Sequence, residues 1–229
     1  MVELKKFTPF AIFKPSEESV SRKPEFRIET YLSLIKKKED FIQSLQNKKC
    51  KCIGIVIMLN PGSSEPEKSE SSWINGKIVE AEVDPTMKQI EKCVKMAYEI
   101  KKKELEGAKY IEIFNLFELC CTSSKEVIKK YKMKDESLIK SKIKIEEIDI
   151  PETPCIWIAW GCDKEINDIK EKVYDTIISQ FPENIIIKFH KNIKNKYEFW
   201  HPFQHDKHKQ SELIDEISKE ISNKIIQQN

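Results

Sequence analysis

The sequence lacks the features of a membrane or secreted protein. No apolar run approaches the ~20 residues that a transmembrane helix needs. The N-terminal stretch MVELKKFTPFAIFKP has neither the apolar core nor the cleavage site of a signal peptide. The seven cysteines have no repeated framework spacing, which is typical of reduced thiols. We therefore expect a cytoplasmic protein.

The sequence also lacks a charge excess and the common motifs of catalysis. Lys and Arg exceed Asp and Glu by only two charges, so no global field marks a general nucleic-acid binder. The phosphate-binding patterns G-x-G-x-x-G and Walker A are absent, as are the nucleophile elbow and the zinc-protease pattern H-E-x-x-H. We expect no cofactor, and any function must come from a less common set of residues.

Strand-length apolar runs and helical patterns alternate along the chain. The runs are residues 53–59, 110–114, 155–160 and 185–189. Helical patterns begin at Asp84-Pro85, Asp163 and Ser211, and an early helix is predicted at about residues 29–45. This alternation predicts an α/β fold with a mostly parallel sheet of about four strands and helices on both faces.

The domain prediction follows from the same pattern. Residues 49–229 are expected to form a single α/β domain, and residues 1–48 an N-terminal extension packed on its core. Within the extension, the stretch FAIFKP near residue 10 is a candidate edge strand.

Unusual polar and aromatic residues follow each predicted strand. The carboxyl ends of parallel strands meet at one edge of a sheet, where open α/β sheets bind ligands. We therefore predict a pocket in which Asn60 and His201 are catalytic. The other residues expected to bind the ligand are Pro61, Gly62, Ser63, Asn115, Phe117, Trp160, Gly161, His190 and Trp200.

Each of these motifs has a plainer explanation when it is taken alone. Asn60-Pro61-Gly62 is ordinary turn chemistry, and Gly161 suits a tight turn into a helix. Asn115 suits a helix cap, and Asp84 is better explained as a cap than as a base. It is their convergence on one sheet edge that favours a site.

The segment from Lys188 to Lys209 combines cations with rings. It holds all four histidines of the chain, six lysines and five aromatic residues. Cations with stacking rings are typical of sites for single-stranded nucleic acid or an extruded base. The alternative is a loop that packs its rings on the sheet. His201, His205 and His208 have a spacing that could ligate zinc, but Pro202 and the basic neighbours argue against a metal.

Five short motifs occur in order along the chain, and together they resemble one family. The motifs are Leu59-Asn60-Pro61, Asp84-Pro85-Thr86, Asn115-Leu116-Phe117, Ala159-Trp160-Gly161 and His201-Pro202. The series resembles a bacterial family, the domain of unknown function numbered 1643, over about residues 50–205. Two arginines usual in that family are absent, one of them replaced by Trp200 just before His201-Pro202. This resemblance implies no particular chemistry.

A more distant similarity is to the uracil-DNA glycosylase superfamily. It rests on the Asn-Pro-Gly motif after a buried strand, the Asn at the end of the second strand and the late His-Pro. The resemblance implies a uracil-DNA glycosylase-like fold in which Asn60 positions the attacking water. It also implies that Asn115 reads a base edge and that His201 stabilises the departing base.

These observations leave alternatives open for function. The first is a nucleobase or nucleotide pocket that hydrolyses an N-glycosidic bond. The second is a non-catalytic module for nucleotides or single-stranded nucleic acid. A metal-dependent hydrolase that uses the histidine cluster is the weakest of the three. The expected partner is a nucleobase, a nucleotide or a nucleic acid, and no membrane.

Overall fold

The structure is a computed structural model. It describes residues 6–15, 24–68, 72–121, 123–133, 155–183, 186–189, 197–204 and 206–226. None of the helices in this part of the chain is both long and apolar enough to cross a bilayer.

A mixed sheet forms the centre of the described structure. Its strands are β1 (Thr8–Lys14), β2 (Phe26–Ser33), β3 (Lys51–Met58), β4 (Ile78–Glu80), β5 (Lys109–Asn115), β6 (Ile156–Ile158) and β7 (Ile186–Lys188). In space the order is β4-β1-β2-β5-β3-β6-β7. Strands β5, β3, β6 and β7 run parallel, whereas β2 pairs with β5, β1 with β2, and β4 with β1 in antiparallel fashion.

The prediction of a mostly parallel sheet of about four strands is wrong. The four predicted strands form and are parallel, but three antiparallel strands extend the sheet to seven. Strand β2 was missed because Ile28, Tyr31, Leu32 and Ile35 have the i, i+3, i+4, i+7 spacing of a helix. Strand β4 was missed because it has only three residues. The sheet is mixed, and the uracil-DNA glycosylase-like fold expected from the resemblance is not confirmed.

The N-terminal segment contributes two strands and a helix. The predicted helix at about residues 29–45 divides into the end of β2 and helix α1 (Lys38–Gln46). The stretch around Phe10 is a strand, as predicted, but it is not at the edge, because β4 pairs along its outer side. Helix α1 covers this part of the sheet through Phe41, whose ring stacks on Phe10 with centroids 4.9 Å apart.

In the part of the chain that the structure describes, four further helices cover the parallel strands. They are α2 (Pro85–Ile100), α3 (Ser124–Lys132), α4 (Asn167–Gln180) and α5 (Lys207–Ile226). The predicted start of α2 is confirmed, since Asp84 Oδ1 accepts a hydrogen bond from the Met87 backbone N–H at 2.8 Å and Pro85 takes the first helical position. Helix α5 begins before the predicted Ser211, because Asp206 Oδ1 accepts hydrogen bonds from the backbone N–H groups of His208 and Lys209.

The apolar residues of β3 divide between two cores. Ile53, Val56 and Met58 pack with α2 and α5, whereas Ile55 and Ile57 pack with α3 and α4. Burying each such side chain contributes about 1.5–3 kcal/mol. The almost continuous apolar run of β3 therefore reflects helices on both faces of the sheet, as expected from the sequence.

Candidate functional site

The carboxyl ends of β3 and β6 open into a cleft of about 940 Å³. The segment after β3, the segment after β6, the N-terminal end of α2 and residues 198–204 form its walls. The sequence-predicted site residues that line the cleft are Asn60, Pro61, Gly62, Ser63, Trp160, Gly161, Trp200 and His201.

Asn60 connects the loop after β3 to the segment after β5. Its Nδ2 donates a hydrogen bond to the carbonyl oxygen of Cys121 at 2.9 Å. A carbonyl can only accept, so this contact defines which side of the amide is nitrogen. The Oδ1 atom makes no hydrogen bond to the described residues, and it remains an acceptor for water or a ligand.

A buried arginine forms a hydrogen bond to the loop after β3. Arg27, on β2, is 2% exposed, and its Nη2 donates a hydrogen bond to the carbonyl oxygen of Pro61. The same nitrogen lies 3.9 Å from Oδ2 of Asp84. Burial lowers the pKa of Arg27, whereas the Asp84 carboxylate raises it. Gly62 follows with a φ of +71°, a conformation that suits glycine.

Sequence reasoning missed Arg27, although one signal was present. The chain has 40 basic residues, and only Arg22 and Arg27 among them are arginines. Lysine serves a solvated surface, so a rare arginine in a lysine-rich chain favours a buried position beside a carboxylate.

Trp160 and Gly161 bring the His201 segment to the cleft. The Trp160 Nε1 donates a hydrogen bond to the carbonyl oxygen of Tyr197 at 2.8 Å, and its ring lies 5.5 Å from that of Phe199. Gly161, with a φ of +84°, forms an isolated antiparallel bridge with Phe199. The end of β6 and the chain before His201 are therefore held side by side.

His201 has its ring oriented by the backbone of Phe203. Its Nδ1 lies 3.2 Å from the backbone nitrogen and 3.3 Å from the carbonyl oxygen of that residue. In the tautomer whose Nδ1 accepts from the N–H, the proton of the neutral ring is on Nε2. That tautomer makes Nε2 a hydrogen-bond donor.

A buried lysine orders the turn after β6, and no sequence pattern indicated this role. Lys170, in the first turn of α4, donates from Nζ to the carbonyl oxygens of Gly161 at 3.0 Å and Asp163 at 2.6 Å. Burial lowers the pKa of Lys170 to about 8, and the charge of Asp163 opposes this shift.

The cleft is lined by charges of both signs, the carboxylates of Asp84, Asp163 and Glu198 and the ammonium groups of Lys164 and Lys209. The first residues of α2 and α3 line it, together with Asp163 and Lys164, which lead through a 3₁₀ turn (Lys164–Ile166) into α4. Helix N-termini carry a partial positive charge and unpaired N–H groups. Lys209 adds a cation, with its ammonium 5.7 Å from the centre of the Trp200 ring.

Two of the predicted ligand-binding residues do not line the cleft. Asn115 is 5% exposed, and Phe117 is buried with its ring 5.6 Å from that of Tyr131. The reason is that the ladder with β3 continues beyond β5. The backbone N–H groups of Leu116 and Phe117 donate to the carbonyl oxygens of Met58 and Leu59, which holds this segment within the sheet.

The remaining predictions concern histidines. His190 and His205 lie outside the described residues, so the structure does not describe the proposed zinc triplet. In the part of the chain that is described, no cluster of His, Cys, Asp or Glu has the arrangement of a metal site.

Comparison with known proteins identifies one family. No curated protein and no solved structure matches the chain. The family described as "Protein of unknown function (DUF1643)" matches residues 41–203, which is most of the chain and includes every residue of the motif series. The family resemblance expected from the motifs is thereby confirmed. The chain belongs to the DUF1643 family.

Proposed function

We propose that the cleft binds a nucleotide unit, free or within a nucleic acid, and that the protein hydrolyses its N-glycosidic bond. The observation that supports this most directly is that Asn60 and His201, 141 positions apart in the chain, line the same cleft. The earlier resemblance to uracil-DNA glycosylases suggested the chemistry, and it forms part of this proposal.

The lining of the cleft supports a nucleotide as the ligand. The phosphate would interact with the N-terminus of α3, which has no side-chain cap, and with Lys209, which supplies a cation. The base would stack on Trp200 or Phe203 at the rim. The cleft volume of about 940 Å³ suits a ligand of this size, since small-molecule sites span roughly 300–1,000 Å³.

The two candidate catalytic groups have complementary roles. Oδ1 of Asn60 would accept a hydrogen bond from water and orient its oxygen toward the anomeric carbon. Nε2 of His201 would donate to the departing base as negative charge develops there. The carbon–nitrogen bond breaks, the water oxygen becomes the sugar hydroxyl, and the base takes up one proton of the water.

A non-catalytic binding module is the second candidate. The hydrogen bond from Asn60 to Cys121 already gives this side chain a structural role in joining two loops. The pairing of Lys209 with the Trp200 ring is also the kind of contact that single-strand binding proteins use without turnover.

A release assay separates these two candidates. The protein is incubated with nucleosides, 5′-nucleotides and single-stranded oligonucleotides, and free base is measured by chromatography. The enzyme predicts base release that Asn60→Ala abolishes while binding persists. Asn223→Ala, at an exposed position on α5, is the matched control and should leave both unchanged.

The other outcomes are equally informative. Binding that weakens steeply with salt, without base release from any substrate, indicates the non-catalytic module. If neither binding nor release is detected, the proposed function is wrong.

A further inference from the structure

Glu198 is a buried carboxylate that borders the cleft and has no role in the mechanism above. The residue is 7% exposed and belongs to the cleft lining. Its Oε1 atom is buried and makes no hydrogen bond within the part of the chain that the structure describes. Buried polar atoms are nearly always hydrogen-bonded, so an unsatisfied acceptor at a cleft suggests a missing donor.

The neighbours of Glu198 hold its backbone in place. Tyr197 is buried, its carbonyl oxygen accepts from Trp160 and its hydroxyl donates to Glu171 at 2.6 Å. Phe199 is fully buried and bridges to Gly161. With both adjacent residues anchored, the backbone has little freedom to swing the carboxylate out to solvent.

The buried ammonium of Lys170 does not neutralise this carboxylate directly. Lys170 donates to the carbonyl oxygens of Gly161 and Asp163, and among the described residues it forms no ion pair with Glu198 within 4 Å. The carboxylate of Glu198 acts on Lys170 only as one of the charges that raise its pKa. Leaving a buried acceptor unpaired is unfavourable, and a ligand donor that paired with it would remove that cost.

Building on the proposed function, we propose that Glu198 selects guanine as the base. A carboxylate offers two acceptor oxygens side by side and no donor. Guanine presents two parallel donors, the N1–H and the 2-amino group, which match those oxygens. Adenine and cytosine each place a ring acceptor beside their amino group, and uracil and thymine flank their N–H with carbonyls. Only guanine forms two hydrogen bonds to a carboxylate without repulsion.

The test compares four nucleotides by calorimetric titration. The wild-type protein should bind guanosine monophosphate most tightly. Inosine monophosphate lacks the 2-amino group, and xanthosine and adenosine monophosphates present an acceptor to the carboxylate. These three should bind about tenfold or more weakly, the usual discrimination of a bidentate contact to a base.

The Glu198→Gln variant should bind one nucleotide more weakly and should prefer another. The carboxamide keeps one acceptor for the N1–H and adds a donor, which suits the 2-oxo group of xanthine. We expect this variant to lose about 10- to 100-fold in affinity for guanosine monophosphate and to prefer xanthosine monophosphate. Glu220→Gln, at an exposed position on α5, is the matched control and should keep the guanine preference.

The outcomes distinguish this inference from the proposed function. If nucleotides bind without a guanine preference, or if Glu198→Gln keeps that preference, the role of Glu198 is wrong and the nucleotide pocket stands. If none of the four nucleotides binds, the role of Glu198 is wrong, and the release assay with oligonucleotides decides the proposed function separately. The wild-type titrations alone decide between these outcomes if Glu198→Gln does not fold, which thermal unfolding would reveal.

Discussion

Replacing Arg27 by methionine tests whether the N-terminal segment stabilises the floor of the cleft. Methionine retains most of the side-chain volume and removes the hydrogen bond to Pro61 and the charge near Asp84. A hydrogen bond to a charged group contributes about 1.5–3 kcal/mol. Removing one partner of a well-satisfied buried ion pair costs about 3–5 kcal/mol.

Two features of Arg27 predict a loss of stability smaller than about 3–5 kcal/mol. Its Nε and Nη1 are buried without partners among the described residues, so the substitution also removes poorly compensated polar atoms. Asp84 has a side chain that is 17% exposed, and it keeps its hydrogen bond to the Met87 N–H, so it is not left isolated. We expect Arg27→Met to lower the free energy of unfolding by about 2 kcal/mol.

Urea denaturation followed by tryptophan fluorescence measures this loss, and hydrogen exchange locates it. The amides of Gly62 and Ser63 should exchange faster, whereas those of α5 should change little. Lys219→Met, which breaks an exposed ion pair with Glu216 at 3.4 Å, is the control and should cost about 0.5 kcal/mol or less. A loss above about 4 kcal/mol, or unchanged exchange at Gly62, would refute the reasoning.

Two further predictions concern pH. The folded pKa of Lys170, about 8, lies below the ordinary value of 10.5, so the unfolded chain binds more protons between these values. Stability from this residue therefore rises between about pH 8 and 10.5, and Lys170→Met should remove that rise in urea titrations at graded pH. Burial, with the charge of Glu29 second, raises the pKa of Glu112 to about 8. Stability is lost as pH rises from about 4.5 to 8, so Glu112→Gln should be more stable than wild type at pH 8, and an unchanged pH profile would contradict this.

Elements that depend mainly on nearby residues could be predicted from local sequence patterns. The four parallel strands and the start of α2 were predictable because a strand buried on both faces needs an apolar run and a helix start needs a cap. The positions of Asn60 and Trp160 at the cleft could be predicted because both residues follow the carboxyl ends of parallel strands. The His201 segment was placed there by the same argument, although its actual attachment uses the bridge from Phe199 to Gly161.

The tertiary structure decided what depends on distant partners. Strand β2 has helical spacing in its sequence, but pairing with β1 and β5 satisfies its backbone and makes it a strand. Asn115 was expected in the cleft, but its segment continues the hydrogen-bond ladder beside β3 and is buried. Arg27 gains its importance from its hydrogen bond to Pro61, and Glu198 from its burial next to Phe199, which bridges to Gly161 far away in the chain. Single-sequence patterns report local geometry, whereas burial and hydrogen-bond partners of this kind exist only once the chain has folded.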